Sequence, residues 1–370
     1  MERSTLFISI SRFLFHIRHE RGNFMQHEIT RVQKLLDENG NIAEPGFAKR
    51  LLWQYAREDI KAPAIRIKEW DYYYVGTQDH GICLTVSDAG YVGTVSASIL
   101  RFGKNPKQMN GAQIKLFPMG KVNMPPTSER GDIHARAGTA DFTFENNGEE
   151  RRLYGSFDHY CNTKKALIFD IRLTEIPPES MVIATPFEKD KHFYYNQKIN
   201  CMRAEGFFEY DGTRYDFNRE NGALATLDWG RGVWTYDNTW LWGSGQTVLD
   251  SGDVFGFNIG YGFGDTSAAS ENMLFFNGKA HKLEDVRFNI PMRGKKYLYT
   301  EPWTFTSSDG RFEMDFKPVI DRYDPIDAKI MCMIPHQVFG RISGTAILDD
   351  GTKIKIKNKM AFAERVHNKW

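Results

Sequence analysis

The strongest candidate for chemistry in this sequence is Asp228. It follows the small residues Gly222, Ala223 and Ala225, and Arg231 comes three positions after it. Partial burial would raise the pKa of this carboxyl group and the guanidinium would lower it, so Asp228 could act as a general acid or base. We therefore predict Asp228 as the lead proton-transfer residue and Arg231 as a catalytic partner that orients or polarises the ligand. The alternative is a structural ion pair between the two.

A second candidate catalytic carboxylate, Glu364, is followed closely by His367. The two side chains could share a proton network if the segment is irregular or helical rather than extended. The alternative is a salt bridge from Glu364 to Arg365 or Lys369 near the end of the sequence. If Asp228 and Glu364 faced one cavity they would form an acid/base pair, but each could instead lie in its own barrel. Both arrangements fit the sequence.

Aromatic side chains are concentrated directly after Asp228. Four of the eight Trp residues fall within fourteen positions. Indole rings fill the cores of small barrels, but they also line pockets for polyenes and sugars. We predict that this cluster forms the wall of a ligand site, with core packing as the alternative. Its members are Trp229, Trp234, Tyr236, Trp240 and Trp242.

Further polar side chains complete the predicted ligand-binding set. His159 follows a carboxylate in sequence, and neighbouring residues of a strand point to opposite faces, so one of the two could face inward. A structural histidine at a barrel end is the alternative. Tyr195 and Asn196 precede the first copy of a repeat and supply polar tips, and His367 adds an imidazole.

Charge and hydropathy exclude several classes of partner. Lys and Arg total 48 against 47 Asp and Glu, which leaves a net charge of +1 and no field to attract nucleic acid. No apolar run approaches the ~20 residues of a spanning helix, so membrane insertion is not expected. The expected partner is a small molecule, either apolar or a sugar.

Cofactor motifs are also missing from the sequence. The four cysteines are widely spaced and form no CxxC, so we expect reduced thiols and a cytoplasmic location. We predict no metal site and no nucleotide site, because neither a Walker sequence nor a cluster of metal ligands is present.

The elements that must position these residues are mostly strands. After Trp70, alternating apolar residues are separated by turn dipeptides such as Asn147-Gly148, Asp211-Gly212 and Asp350-Gly351. This pattern predicts an all-β protein with antiparallel barrels or strongly curved sheets. The spacing of apolar residues over 25–60 predicts a short helical N-terminal segment. Residues 1–24 are expected to be disordered or to precede the natural start at Met25, and so to be dispensable.

An internal repeat predicts two β domains. Residues 206–234 and 344–370 each contain a glycine, a strand, an Asp-Gly-Thr turn, a second strand, a carboxylate and a final Trp. Asp228 then corresponds to Glu364. The spacing suits duplicated domains, which we place at 61–245 and 246–370.

The string Leu227-Asp228-Trp229-Gly230-Arg231-Gly232-Val233-Trp234, with Trp-Leu-Trp after it, resembles the signature of the bacterial DUF2804 family. The closing run from Ala363 to Trp370 fits as well. More distantly the chain is similar to the lipocalin-like superfamily of carotenoid 1,2-hydratases, AttH-type proteins and some fungal Diels–Alderases. That resemblance implies two lipocalin-like β domains and a small-molecule pocket, but no particular reaction.

Three functions remain open at this stage. The first is a small-molecule enzyme that uses carboxylate acid/base chemistry for hydration, elimination, isomerisation or cyclisation. The second is a carbohydrate-active enzyme, either a glycosidase or a glycan lyase. The third is a carrier of an apolar ligand, whose pocket would be almost wholly apolar, whereas either enzyme needs a carboxylate among the aromatic side chains.

Overall fold

The computed structural model of the chain describes residues 26–327 and 332–369. The predicted dispensable segment 1–24 and the final Trp370 lie outside the described residues. Within them, regular structure consists of strands and three 3₁₀ turns, Arg57–Asp59, Ala64–Arg66 and Tyr160–Asn162. The all-β prediction is therefore confirmed.

The strands of the first part of the chain form a curved antiparallel sheet that closes almost into a barrel. Its path runs β7-β6-β5-β4-β15-β13-β11-β10-β9-β8. Strands β12 and β14 pair with β13, β2 pairs with β12, and β1 and β3 pair separately. The strands are β1 Gln33–Lys34, β2 Gly46–Ala48, β3 Trp53–Gln54, β4 Ile67–Gly76, β5 His80–Asp88, β6 Val92–Arg101, β7 Lys107–Leu116, β8 Ile133–Ala137, β9 Ala140–Asn146, β10 Arg151–Phe157, β11 Leu167–Thr174, β12 Met181–Pro186, β13 Phe193–Tyr210, β14 Thr213–Phe217 and β15 Leu224–Val233.

The remaining strands build a second curved sheet, shaped as a half-barrel. Its path runs β19-β18-β17-β16-β27-β26-β24-β23-β20, with β25 beside β26 and a separate β21–β22 hairpin. The strands are β16 Asp237–Val248, β17 Val254–Tyr261, β18 Met273–Phe276, β19 Lys279–Lys282, β20 Val286–Asn289, β21 Met292–Arg293, β22 Lys296–Tyr297, β23 Trp303–Ser307, β24 Phe312–Tyr323, β25 Ile326–Asp327, β26 Cys332–Ile347 and β27 Lys353–Lys369.

The two sheets share one strand order. In each, a four-stranded meander (β4–β7 or β16–β19) joins the strand that carries the repeat carboxylate (β15 or β27), which pairs in turn with a long strand (β13 or β26). The chain passes from one sheet to the other between Val233 and Asp237, ahead of the boundary predicted at residue 245. The common order fits the predicted duplication.

Corresponding turns and glycines carry this shared order. The Asp211-Gly212 turn joins β13 to β14, and Asp350-Gly351 lies in the turn between β26 and β27. Gly206 and Gly344 both have positive φ, and a side chain at either would overlap the backbone of the neighbouring strand. At these two places the close approach of strands requires glycine.

The predicted helical N-terminal segment is not present. Residues 26–60 form turns, short strands and one 3₁₀ turn, with β2 paired to β12. The apolar residues that suggested helices, such as Leu35 and Leu36, are buried against the first sheet. Gly40, with a φ of 88°, lies in a turn between these residues and Phe47. Tertiary contacts override local spacing here.

Three apolar clusters fill the molecule. One lies inside the first sheet and one inside the second, and the third lies between the sheets, where residues such as Tyr72, Tyr194, Trp242 and Phe362 meet. In the described part of the chain no helix is long and apolar enough to cross a membrane. All four cysteines are free thiols, and the cytoplasmic location stays a prediction.

Candidate functional site

Strand β15 directs its alternating side chains to two different environments. Trp229 and Arg231 point into the core of the first sheet, whereas Asp228 points to the second sheet. Residues three apart on an extended strand lie on opposite faces, so Asp228 and Arg231 are separated. The ion pair between Asp228 and Arg231, which was the alternative to a catalytic role, is therefore not formed.

Asp228 instead has partners on the adjacent strand β13. Lys198 Nζ lies 2.8 Å from Asp228 Oδ2, and Asn196 Nδ2 donates to Oδ1 at 2.7 Å. The Lys198 ammonium also stands 4.0 Å from the ring centre of Trp242, a residue of the second sheet. Asn196 and Trp242, both predicted as ligand contacts, therefore lie at the carboxylate. The ion pair lies within the first sheet, and the Lys198–Trp242 contact joins it to the second sheet.

Glu364 on β27 faces the same space from the second sheet. Trp240 Nε1 donates to Glu364 Oε1 at 2.9 Å, and Gln337 Nε2 donates to Oε2 at 3.0 Å. His367 lies three residues further along the same extended strand, on its other face, and contacts Thr239 at 2.9 Å. The predicted proton network between Glu364 and His367 is not formed, because the segment is extended.

A third carboxyl group, Glu271, completes the cluster. It lies in the loop between β17 and β18 and is 1% exposed. Tyr194 donates to its Oε2 at 3.3 Å, and its Oε1 has no hydrogen-bond partner. Sequence analysis missed this residue, because nothing in its local sequence distinguishes a buried loop glutamate from an exposed one.

Burial dominates the electrostatics of this cluster. Desolvation raises the pKa of both Glu271 and Glu364 to about 7, while the Lys198 ammonium lowers the two values and the Asp228 carboxylate raises them. Asp228, Glu271, Glu364 and Lys198 therefore interact as one group, which we call the interdomain carboxyl cluster. The structure brings the two repeat-related carboxylates, Asp228 and Glu364, into this single cluster.

The two halves of the cluster are related by the repeat. Asp228 lies beside Tyr72 and Lys198 on its neighbouring strands, and Glu364 lies beside Trp242 and Gln337. Each half contacts the other sheet. Lys198 of the first sheet contacts Trp242 of the second, and Gln337 of the second sheet donates to the Tyr72 hydroxyl of the first at 3.4 Å. The position beside Asp228 that is taken by the Lys198 ammonium is taken by the Gln337 amide beside Glu364. Glu364 therefore lacks the direct ammonium contact that Asp228 has.

A group of six aromatic rings includes two, Tyr194 and Trp240, that donate hydrogen bonds to the cluster. Trp234, in the link between the two sheets, is 2% exposed and packs against five neighbours at centroid distances of 5.1–6.1 Å. We call these five rings the aromatic box, and they are Trp70, Phe187, Tyr194, Trp240 and Phe263. Trp234 and Trp240, both predicted as part of a ligand wall, thus pack against each other, and Trp240 contacts Glu364.

The other predicted contacts lie away from the cluster. Trp229 and Tyr195 belong to the core of the first sheet, with their rings 5.4 Å apart. Arg231 is fully buried there and binds Asp71. His159 is in an exposed turn, and Tyr236 is 51% exposed on the link. The sequence pattern identified aromatic residues but not the face on which each would lie.

A glycine makes room for one wall of the box. Gly230 is two residues from Asp228 on the same face of β15, and a Cβ there would overlap the Trp70 indole. Trp70 is itself held between Tyr194 and Trp234. We expect Gly230→Ala to lower the free energy of unfolding by about 1–3 kcal/mol through overpacking. Chemical denaturation measures this, with Gly103→Ala as the control, since no atom lies within 4 Å of that position. Equal stability of the two variants would contradict this account of the packing.

Two concave surface sites in the described chain lie elsewhere. One, of about 580 Å³, is lined by charged side chains that include Arg130, Glu145 and Arg172, and the other is about 40 Å³ beside Val86. Among residues 26–327 and 332–369, no three His, Cys, Asp or Glu side chains are arranged to hold a metal ion. The interdomain carboxyl cluster is therefore the best-supported candidate site, and it is packed shut.

Comparison with known proteins identifies the family. Residues 26–370 match the family described as Domain of unknown function (DUF2804), and the chain belongs to that family. A search of curated proteins finds no match.

The search of solved structures finds similar chains at low sequence identity. The chain is similar to an AttH-like protein from Nitrosomonas europaea, with 13% identity, a TM-score of 0.46, and 84% of this chain and 94% of that chain covered. It is also similar to kievitone hydratase from Nectria haematococca, with 10% identity, a TM-score of 0.46, and 92% and 98% covered. A third similar structure is CghA with Sch210972, with 9% identity, a TM-score of 0.41, and 92% and 97% covered.

Proposed function

We propose that this protein is a small-molecule enzyme that transfers protons with its interdomain carboxyl cluster. The observation that carries the proposal is the pairing of two kinds of carboxyl group in one buried place. Glu364 and Glu271 have pKa values of about 7, while Asp228 accepts hydrogen bonds from an ammonium and an amide. Carboxyl groups whose environments differ in this way suit separate acid and base roles.

Asp228 and Glu364 then have different roles. Asp228, held by Lys198 and Asn196, is suited to accept a proton or to stabilise a developing positive charge. Glu364 is half protonated near neutral pH, which is the condition that favours a general acid. Trp240 and Gln337 fix both of its oxygens. Hydration, elimination, and isomerisation or cyclisation that proceeds by proton transfer can each use such a pair.

The composition of the cluster favours this proposal over a carrier. A site for an apolar ligand has no use for three buried carboxyl groups and a lysine, since each costs free energy to desolvate. The closed aromatic surroundings also differ from the open polar cleft expected for a sugar. The proton-transfer enzyme therefore accounts for more of the buried charge.

The test is a panel of small unsaturated and hydroxylated compounds assayed with the wild type and with Asp228→Asn and Glu364→Gln. We expect each variant to lose turnover by about 10²–10⁴-fold, the usual contribution of a positioned acid or base. Glu205→Gln, at an exposed glutamate of β13, is the matched control and keeps wild-type turnover. Full activity of both cluster variants on a substrate of the wild type would refute the proposal.

A further inference from the structure

The aromatic box contains both partly exposed and fully buried rings. Trp70, Phe187 and Trp240 at its rim are partly exposed, whereas Tyr194 and Phe263 at its floor are buried. Tyr194 and Phe263 stack with a centroid distance of 4.8 Å. A flat group that entered between the rim rings would therefore meet aromatic faces and edges on several sides.

Two rings of the aromatic box also donate hydrogen bonds to carboxyl groups of the interdomain carboxyl cluster. Trp240 at the rim donates to Glu364, and Tyr194 at the floor donates to Glu271. A ring inside the box therefore lies within one side chain of both carboxyl groups that have a pKa of about 7. No other aromatic group in the described chain donates hydrogen bonds to this pair.

The space between the five rings of the aromatic box is filled by the indole of Trp234, on the link between the two sheets. Trp234 directly follows β15, and β16 begins three residues later, so this residue lies outside both strands. Its backbone carbonyl accepts a hydrogen bond from Arg66 at 2.6 Å. A rotation about the side-chain bonds of Trp234 would empty the box without moving that anchored backbone.

We propose that the aromatic box is the binding site for a planar bicyclic aromatic group of the ligand, and that the Trp234 indole holds this place until the ligand displaces it. The inference rests on the proposed function for what happens next, but the binding step does not require turnover. The fit is shown by the indole itself, a planar two-ring group that packs edge-to-face or tilted against all five walls. When the Trp234 indole is displaced, a ligand ring of the same shape takes its place and lies near Glu364.

The first experiment measures binding of 2-naphthol, a planar two-ring probe, by titration calorimetry. We expect saturable binding to the wild type and at least tenfold tighter binding to Trp234→Gly, because no side chain has to leave. Thr235→Gly is the matched control, because it adds a glycine to the same link and leaves the Trp234 indole in place, and it should stay within twofold of the wild type. If Trp234→Gly folds poorly, Trp234→Phe provides the test with a smaller occupant and an intermediate gain.

The second experiment follows displacement directly. In protein labelled with 5-fluorotryptophan, the ¹⁹F resonance that disappears in Trp234→Phe is assigned to Trp234. We expect saturating 2-naphthol to move this resonance to a solvent-exposed position with a larger solvent isotope shift. An unmoved resonance, no saturable binding to the wild type, or equal affinities of wild type and Trp234→Gly would each overturn the inference.

These results are separable from the proposed function. Tight binding with displacement of Trp234, together with full turnover by Asp228→Asn and Glu364→Gln, would leave the binding site standing and refute the acid/base assignment. Loss of turnover in those variants without displacement would do the reverse.

Discussion

Replacement of Arg231 by Met is expected to lower the free energy of unfolding by about 3–5 kcal/mol, the usual loss when one partner of a buried ion pair is removed. Arg231 is fully buried, and its Nη2 lies 3.1 Å from Asp71 Oδ1. It also donates to the backbone carbonyls of Trp70 and Pro125 at 2.9 Å each. Removing the guanidinium would leave the Asp71 carboxylate buried without its cation. Chemical denaturation measures the loss.

Two comparisons separate this effect from a general sensitivity to mutation. Arg152→Met breaks an ion pair with Asp170 in which both side chains are about 40% exposed, so it should cost less than about 1 kcal/mol. The double variant Asp71→Asn with Arg231→Met should recover part of the loss, because no buried charge remains unpaired. If Arg231→Met kept wild-type stability but lost turnover, Arg231 would act on the ligand after all.

A second large effect is expected in the dependence of stability on pH. Burial raises the pKa of Glu364 from its ordinary 4.5 to about 7 in the folded protein. Between these values the folded chain holds a proton that the unfolded chain has released, so stability falls as pH rises from about 4.5 to 7 and then levels off. The contribution lost is about 3 kcal/mol, and Glu271, whose pKa burial also raises to about 7, acts in the same direction.

Variants of the two glutamates test this directly. Glu364→Gln carries no titrating group, so its stability should fall less between pH 5 and 8, and at pH 8 it should exceed that of the wild type. Glu271→Gln should behave in the same way, and Glu205→Gln, at an exposed position, should follow the wild type. Parallel stability curves for all four proteins would show that neither glutamate has a raised pKa. Denaturant midpoints across this pH range provide the measurement.

Taken together, the two predictions for Glu364→Gln are that the variant is more stable than the wild type at pH 8 and that it loses turnover. The wild type keeps a carboxyl group where its ionised form is unfavourable, and that cost is tolerable only if the group has a use. The pairing of greater stability at pH 8 with loss of turnover would distinguish a catalytic acid from a structural one.

Part of the candidate site followed from sequence alone. The repeat placed Asp228 and Glu364 at equivalent positions, and the structure places them on β15 and β27, which occupy equivalent places in the two sheets. The Asp-Gly-Thr turns predicted hairpins because such dipeptides adopt positive φ cheaply, and both turns are present. These features are local, so the sequence around each one contains the information.

Other expectations failed for a reason visible in the same sequence. Asp228 and Arg231 are three residues apart, as are Glu364 and His367, and an extended strand sends such pairs to opposite faces. An extended strand assigned to each segment from the sequence would already have placed the two side chains of each pair on opposite faces. Glu271 offered no comparable signal, because its loop in the second sheet contacts Tyr194 of the first sheet, a residue distant in sequence.

The sequence by itself determined the all-β class, the turns, the repeat and the identity of the two equivalent carboxylates, because alternation and turn chemistry act over a few residues. Only the tertiary structure decided that the sheets pack with those two carboxylates between them, that Lys198 and Glu271 join them, and that Trp234 fills the aromatic box. Those contacts connect residues far apart in the chain, and the desolvation that raises the pKa of Glu364 arises only when the two sheets meet.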